Sequence, residues 1–157
     1  MQNRVGPAVA AIALMLASQP AFACRMANER NLPDIHLADL VVVGRISNYE
    51  IVRDSGYYAT FAVEVEEVVK GNAEQRLTVR WDNSTFALPN EMGQRQFLIA
   101  LRAQRSEISA SATTPKKPHD GRELMTVLQA PCSGAFILRI PSEEARIARD
   151  ILSFQTK

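Results

Sequence analysis

Hydrophobic and polar positions alternate most clearly from Tyr57 to Lys70, YYATFAVEVEEVVK. Tyr57, Ala59, Phe61, Val63 and Val65 fall on one face, and Tyr58, Thr60, Ala62, Glu64 and Glu66 on the other. That period of two predicts a half-buried strand. The alternation slips after Glu66, where Glu67 would point inward and Val68 outward. A bulge at the Glu66–Glu67 pair restores the register, as in long barrel strands that turn corners; a buried functional carboxylate at Glu67 is the competing reading. Before this strand, Leu40 to Ile46 is a β-branched run with Gly44 suited to a bulge or bend. After it, Leu77, Val79 and Trp81 alternate with Thr78 and Arg80 in a third strand. Gln96 to Leu101 predicts a fourth strand, apolar on both faces and therefore central. Leu124–Leu128 reads as a fifth strand and Phe136–Ile140 as a short sixth segment.

The intervening stretches are punctuated by turn formers. Pro33-Asp34 marks a turn or short helix before the first strand, and Lys70-Gly71-Asn72 a turn after the second. Residues 82–94 read as a long connection, and 104–122 as a polar hairpin tip or loop whose Lys116 and Lys117 are solvated charge. Near the C-terminus Ser142 is a good N-cap, and Glu143 and Glu144 suit the positive end of a helix. Ala145, Ala148 and Leu152, with Ile147 and Ile151, recur at helical spacing and predict a face packed on the sheet. The predicted class is all-β with minor α: a five-stranded barrel of the oligonucleotide/oligosaccharide-binding (OB) type with a C-terminal helix. A β-sandwich needs about seven regularly spaced strands, more than this pattern supplies.

The first residues follow a different logic. Arg4 supplies a positive charge, Ala8 to Ala17 an apolar run too short to span a bilayer, and Ala21-Phe22-Ala23 the small residues that a signal peptidase reads. Residues 1–23 are therefore predicted to be a signal peptide cleaved between Ala23 and Cys24. Residues 24–157 form a single exported domain, periplasmic or secreted. The chain holds 18 Lys+Arg and 17 Asp+Glu, and losing Arg4 leaves 17 of each. A neutral mature domain has no global electrostatic reason to seek nucleic acid or an anionic membrane.

The two cysteines are Cys24 and Cys132. In an oxidising compartment an even count reads as a disulfide, here closing a long loop whose cross-link contributes about 4–5 kcal/mol on the chain-entropy account. Two independent reactive thiols are the rival reading, and they require a base that the sequence does not place at fixed spacing. A lipid anchor on Cys24 is a further alternative, although Ala21 and Phe22 make a poor lipobox.

Catalytic patterns are weak. His36 and His119 have no zinc-type spacing to other ligands, and the seven glycines form no phosphate-cradling loop. Pro131-Cys132-Ser133-Gly134 lacks the first glycine of a nucleophile elbow and reads as a tight turn carrying a disulfide cysteine. Glu64 and Glu66 share a strand face as an exposed pair, with too few oxygen ligands nearby for calcium. The chain is expected to be a non-enzyme without a metal or cofactor of its own.

The order of these segments resembles a known group. ADLVVVGRI at 38–46, FAVEVEEVVKG at 61–71, RQFLIAL at 95–101 and LMTVLQAPC at 124–132 are similar to the tissue inhibitors of metalloproteinases and the related netrin-type modules. The resemblance spans about residues 28–140 and includes an N-terminal cysteine at the cleavage point. It implies an OB-type barrel with the mature N-terminus tied to its surface by a disulfide. In the inhibitors, the α-amine and carbonyl of the N-terminal cysteine chelate the target's zinc; here that role falls on Cys24, with Arg25 and Met26 in the partner contact. Met26 stands where the inhibitors carry a second cysteine, and Arg25 where they carry a small polar residue. The leading expectation is thus an exported non-catalytic binding module. The alternatives are a metalloprotease inhibitor acting through Cys24, and a lipid-anchored envelope protein. The expected partner is an extracytoplasmic protein such as a metalloprotease.

Overall fold

Apolar residues on both faces of a strand need two separate cores, and this chain builds both. The computed structural model describes residues 30–53, 57–82, 88–103 and 124–154. A 3-10 helix (Leu32–Leu37) leads into β1 (Leu40–Val52), β2 (Tyr58–Lys70), β3 (Arg76–Trp81), β4 (Gln96–Ala103), β5 (Met125–Val127), β6 (Ile137–Arg139) and the helix α1 (Glu143–Ser153). The strands run in the order β1-β2-β3-β5-β4, and a β1–β4 pairing closes them into a five-stranded barrel. All pairings are antiparallel except β3–β5. β4 gives one edge to β1 and divides the other between β5, at Leu101–Ala103, and β6, at Phe97–Ile99. This is an OB-type barrel with a C-terminal helix.

Alternate residues separate the two cores. Leu40, Val42, Ala59, Phe61, Val63, Val79, Phe97, Ile99 and Leu101 fill the barrel interior. Val41, Val43, Leu98 and Ala100, from the other faces of β1 and β4, pack outside it with Ile35, Phe136, Leu138 and the Ala145, Ala148 and Leu152 stripe of α1. The helix starts where predicted: Ser142 has extended backbone and its Oγ accepts from the Ala145 amide at 3.1 Å.

The bulge predicted at the Glu66–Glu67 pair is present. Gly44 lies opposite Val65 and Val43 opposite Glu67, so Glu66 is the additional residue on β2. The strands approach so closely at Gly44 that an added Cβ would collide with the Glu64 carbonyl. Glu67 is an exposed carboxylate rather than a buried one: the Arg149 guanidinium donates to both its oxygens at 2.8 and 2.7 Å, clamping α1 to β2. Val68 nevertheless stays 41% exposed, and a further register shift between Val41 and Val42 leaves Val69 as an additional residue on β2, packed on the outer core.

Three further details depart from the sequence pattern. Tyr57, expected on the inner face, precedes β2 and is 47% exposed; the interior stripe begins at Ala59. Ala62, expected on the polar face, is buried, its short side chain flanked on that face by its cross-strand neighbours Ser47 and Thr78. β1 continues past Ile46 to Val52 through another of its three register shifts against β2, where Asn48 takes a positive φ of 52°. The signal peptide predicted at 1–23 and the polar stretch at 104–122 lie outside the described residues. Among the described residues no helix is long and apolar enough to cross a membrane.

Candidate functional site

At one mouth of the barrel, three features meet: a tight turn, an anchored arginine and a cleft. The turn spans Ala130–Ser133, closed by the Ser133 amide donating to the Ala130 carbonyl at 3.1 Å. Cys132 sits in it with φ 60°, a left-handed conformation that glycine adopts freely and other residues adopt at a cost of about 1–2 kcal/mol. A polar chain braces the turn from inside. The Trp81 indole donates to Gln129 Oε1 at 2.9 Å, and Gln129 Nε2 donates to the Ser133 carbonyl at 2.8 Å. Thus the last residue of β3 fixes the turn, which explains how a strained residue is held there.

Arg30 lies directly against this turn. Its Nε donates to the Ala135 carbonyl at 2.6 Å, and its Nη1 donates to both oxygens of Glu144, in the first turn of α1, at 3.0 Å. Gly134 makes room for it: a Cβ at that position would lie 3.1 Å from Arg30 Nε. The start of the described chain is therefore fixed to both the turn and the helix.

Beside Arg30 opens a cleft of about 560 Å³. Trp81, Phe97 and Ile137 form its apolar floor; Arg95, Arg139 and Glu91 line it with charge. One lip is set by the irregularity in β1. That irregularity turns Tyr49 toward the interior core, with its ring centroid 6.3 Å from Phe61, and the Tyr49 hydroxyl donates to the Pro89 carbonyl at 2.8 Å. Burial, and secondly the nearby Tyr57, raise the Tyr49 phenol above its ordinary range, so it stays protonated as a donor.

The residues singled out from the sequence divide sharply. Ala23, Cys24, Arg25 and Met26 lie outside the described residues, whereas Cys132 is at the mouth. Among the described residues there is no free cysteine. Ser133 Oγ donates to the Gly134 carbonyl at 3.3 Å, and His36, in the 3-10 helix, sets its Nδ1 against the Pro33 carbonyl. Glu64 and Glu66 are solvated ion-pair partners of Arg76, at 3.2 Å, and Arg45, at 3.0 Å. Among the described residues no group of three His, Cys, Asp or Glu side chains could hold a metal. Sequence reasoning passed over Arg30, Arg95, Gln129 and Arg139. The available signal was the interior stripe itself: Leu101, Ile99 and Phe97 lead in steps of two to Arg95, and Ile137 leads to Arg139.

In comparisons with known proteins, no family model matches the chain and no curated protein matches it.

Proposed function

We propose that this chain is an exported, non-catalytic binding module of the tissue-inhibitor and netrin-like kind. In this reading an OB-type barrel presents its mature N-terminal segment beside the barrel mouth, and a Cys24–Cys132 bridge tethers that segment. The observation that carries the proposal is the anchoring of Arg30 on Gly134 and Ala135. Residues 24–30 reach at most about 22 Å, and Cys132 lies within about 11 Å of Ala135 along an extended chain. A bridge between the two cysteines therefore falls within the span that Arg30 allows. The strained position of Cys132, on a braced turn rather than in a core, also supports a role for the cysteine beyond packing.

A non-reducing peptide map of the exported protein tests the reading. It predicts an N-terminus at Cys24 and one cross-linked peptide joining Cys24 to Cys132. Two free thiols, or a diacylglycerol adduct on Cys24, would overturn it; the adduct would establish the lipid-anchored alternative. The inhibitor version is separated by a panel of zinc proteases. Chelation through the Cys24 amine predicts inhibition that disappears when one residue is added before Cys24, and inhibition unaffected by that addition excludes it.

A further inference from the structure

We infer that the cleft at the barrel mouth binds a carboxylate-bearing peptide segment, its acid held by Arg95 and Arg139 and an adjacent apolar side chain set over Phe97 and Ile137. The inference rests on the reading of the chain as a binding module and names the ligand chemistry of one surface of it.

The register of the sheet explains why two guanidiniums gather there. Phe97 pairs with Arg139 across β4 and β6, and side chains of an antiparallel pair share a face. Phe97, Ile99 and Ile137 belong to the interior core, so Arg139 continues that interior face out of the barrel. Arg95 precedes Phe97 by two residues and continues the same stripe from β4. An interior built for apolar packing thus ends in two cations at its opening.

Their pairing sets them apart from most of the arginines on the barrel surface. Arg45, Arg76, Arg80, Arg146 and Arg149 each meet a carboxylate within 3.2 Å. Arg30 is committed to Ala135 and Glu144. The side chains of Arg95 and Arg139 make no ion pair or hydrogen bond with the described residues; Arg53 and Arg102 also lack a carboxylate partner among them, but neither lines the cleft. Guanidinium forks match carboxylate geometry with paired N–H donors. The cleft's volume, about 560 Å³, lies within the roughly 300–1,000 Å³ typical of small-ligand sites, and its floor is apolar.

The same features disfavour a nucleic acid strand. Glu91 also lines the cleft, so two guanidiniums face one carboxylate there: the balance favours a single acid and opposes a continuous run of phosphates. Trp81 is only 8% exposed and its indole N–H is already used on Gln129, so it offers no open ring for base stacking.

The test uses the mature chain and two capped hexapeptides, one with a single glutamate among leucines and one with glutamine in its place. Titration calorimetry gives affinity, and the Trp81 indole N–H resonance reports whether the cleft is occupied. The glutamate peptide is expected to bind and shift that resonance, with the glutamine peptide roughly tenfold weaker or more. Arg95→Ala and Arg139→Ala should each weaken the glutamate peptide roughly tenfold, Arg139→Lys should lose part of that, and Arg146→Ala on the helix should change nothing. Both cleft arginines are exposed, and a thermal melt verifies that the variants fold. Equal affinity for the two peptides, full binding by Arg139→Ala, tighter binding of a ten-residue thymidine oligonucleotide, or no peptide binding would each overturn the assignment. The peptide map and protease panel do not depend on this cleft, so either proposal can fail while the other stands.

Discussion

Replacing Arg30 with alanine is the most direct test of how the start of the domain is held to the barrel mouth. The side chain makes two interactions of unequal value. Its Nε–H···O bond to Ala135, at 2.6 Å, ends on a carbonyl of a buried residue, and a charge-assisted bond of that kind contributes about 1.5–3 kcal/mol. The contact with Glu144 shares one nitrogen, Nη1, between both carboxylate oxygens, and that carboxylate is 50% exposed, so solvent screening limits it to about 0.2–1 kcal/mol. Arg30→Ala should therefore cost about 2–3.5 kcal/mol, whereas Glu144→Gln should cost less than about 1 kcal/mol. For a domain of this size the arginine loss lowers Tm by roughly 5–12 °C. Urea denaturation of the two single variants and the double variant measures both numbers and their coupling. Arg30→Lys retains the ion pair without the Nε donor to Ala135 and should recover only the smaller part. If Arg30→Ala and Glu144→Gln destabilise equally, the bond to Ala135 contributes nothing and the anchoring argument fails.

Other predictions concern the fold and the turn. The Arg149 hydrogen bonds hold the Glu67 carboxyl below the usual glutamate range. A depressed folded-state pKa adds stability above the unfolded value and loses it as pH falls through the folded one. The advantage of wild type over Glu67→Gln should thus be present at neutral pH, vanish in acid, and stay under about 1 kcal/mol because the pair is exposed; a difference independent of pH contradicts it. Leu152→Ala removes a buried side chain from the outer core at the end of α1 and should cost about 2–3 kcal/mol in the same urea assay. Gly44→Ala forces a methyl group into the Glu64 carbonyl, and thermal melts should show a loss of at least about 2 kcal/mol. At Cys132, a glycine fits the positive φ and a serine does not, so Cys132→Gly should be about 1 kcal/mol more stable than Cys132→Ser. Both should fall well below the oxidised wild type, and a Cys132→Ser variant as stable as wild type refutes a stabilising bridge.

The architecture was legible where one physical demand dominates a segment. The two-residue period of β2 reflects a single buried face, and its slip at Glu66 marked a real bulge. β4 reads as apolar throughout because it lies between the interior and the layer under α1. Ser142 was readable because capping is a local interaction. The second half of β1 was not, because Ser47, Asn48 and Glu50 resemble a loop, and the irregularity that turns Tyr49 inward breaks the alternation there. The mouth was illegible for another reason. Arg30, Arg95, Gln129 and Arg139 come from separate segments that only barrel closure brings together, and each alone reads as a solvated polar residue. A near-neutral total charge conceals a local concentration of guanidinium. Of the positions the sequence marked for contact, Cys24, Arg25 and Met26 lie outside the described residues, and Cys132 alone falls within them.

The barrel and its mouth are built on different terms. Two apolar cores, on opposite faces of β1 and β4, hold the barrel together, and Trp81, Phe97 and Ile137 carry the inner one up to the mouth. At the mouth the chain does the reverse: it places a cysteine where glycine would be relaxed, and uses Trp81 and Gln129 to hold that turn in place. Folding alone gives no reason to immobilise a surface turn in a strained conformation. An anchor point does, because a bridge is only as well positioned as the backbone that carries it. With the proposed bridge at Cys132 and Arg30 fixed on Ala135, the segment between would be restrained at both ends before any partner arrives. Restraint of that kind lowers the ordering cost of binding. On that proposal the strained turn, the internal brace and the arginine anchor would act together, presenting a short N-terminal segment in a fixed position beside the cleft.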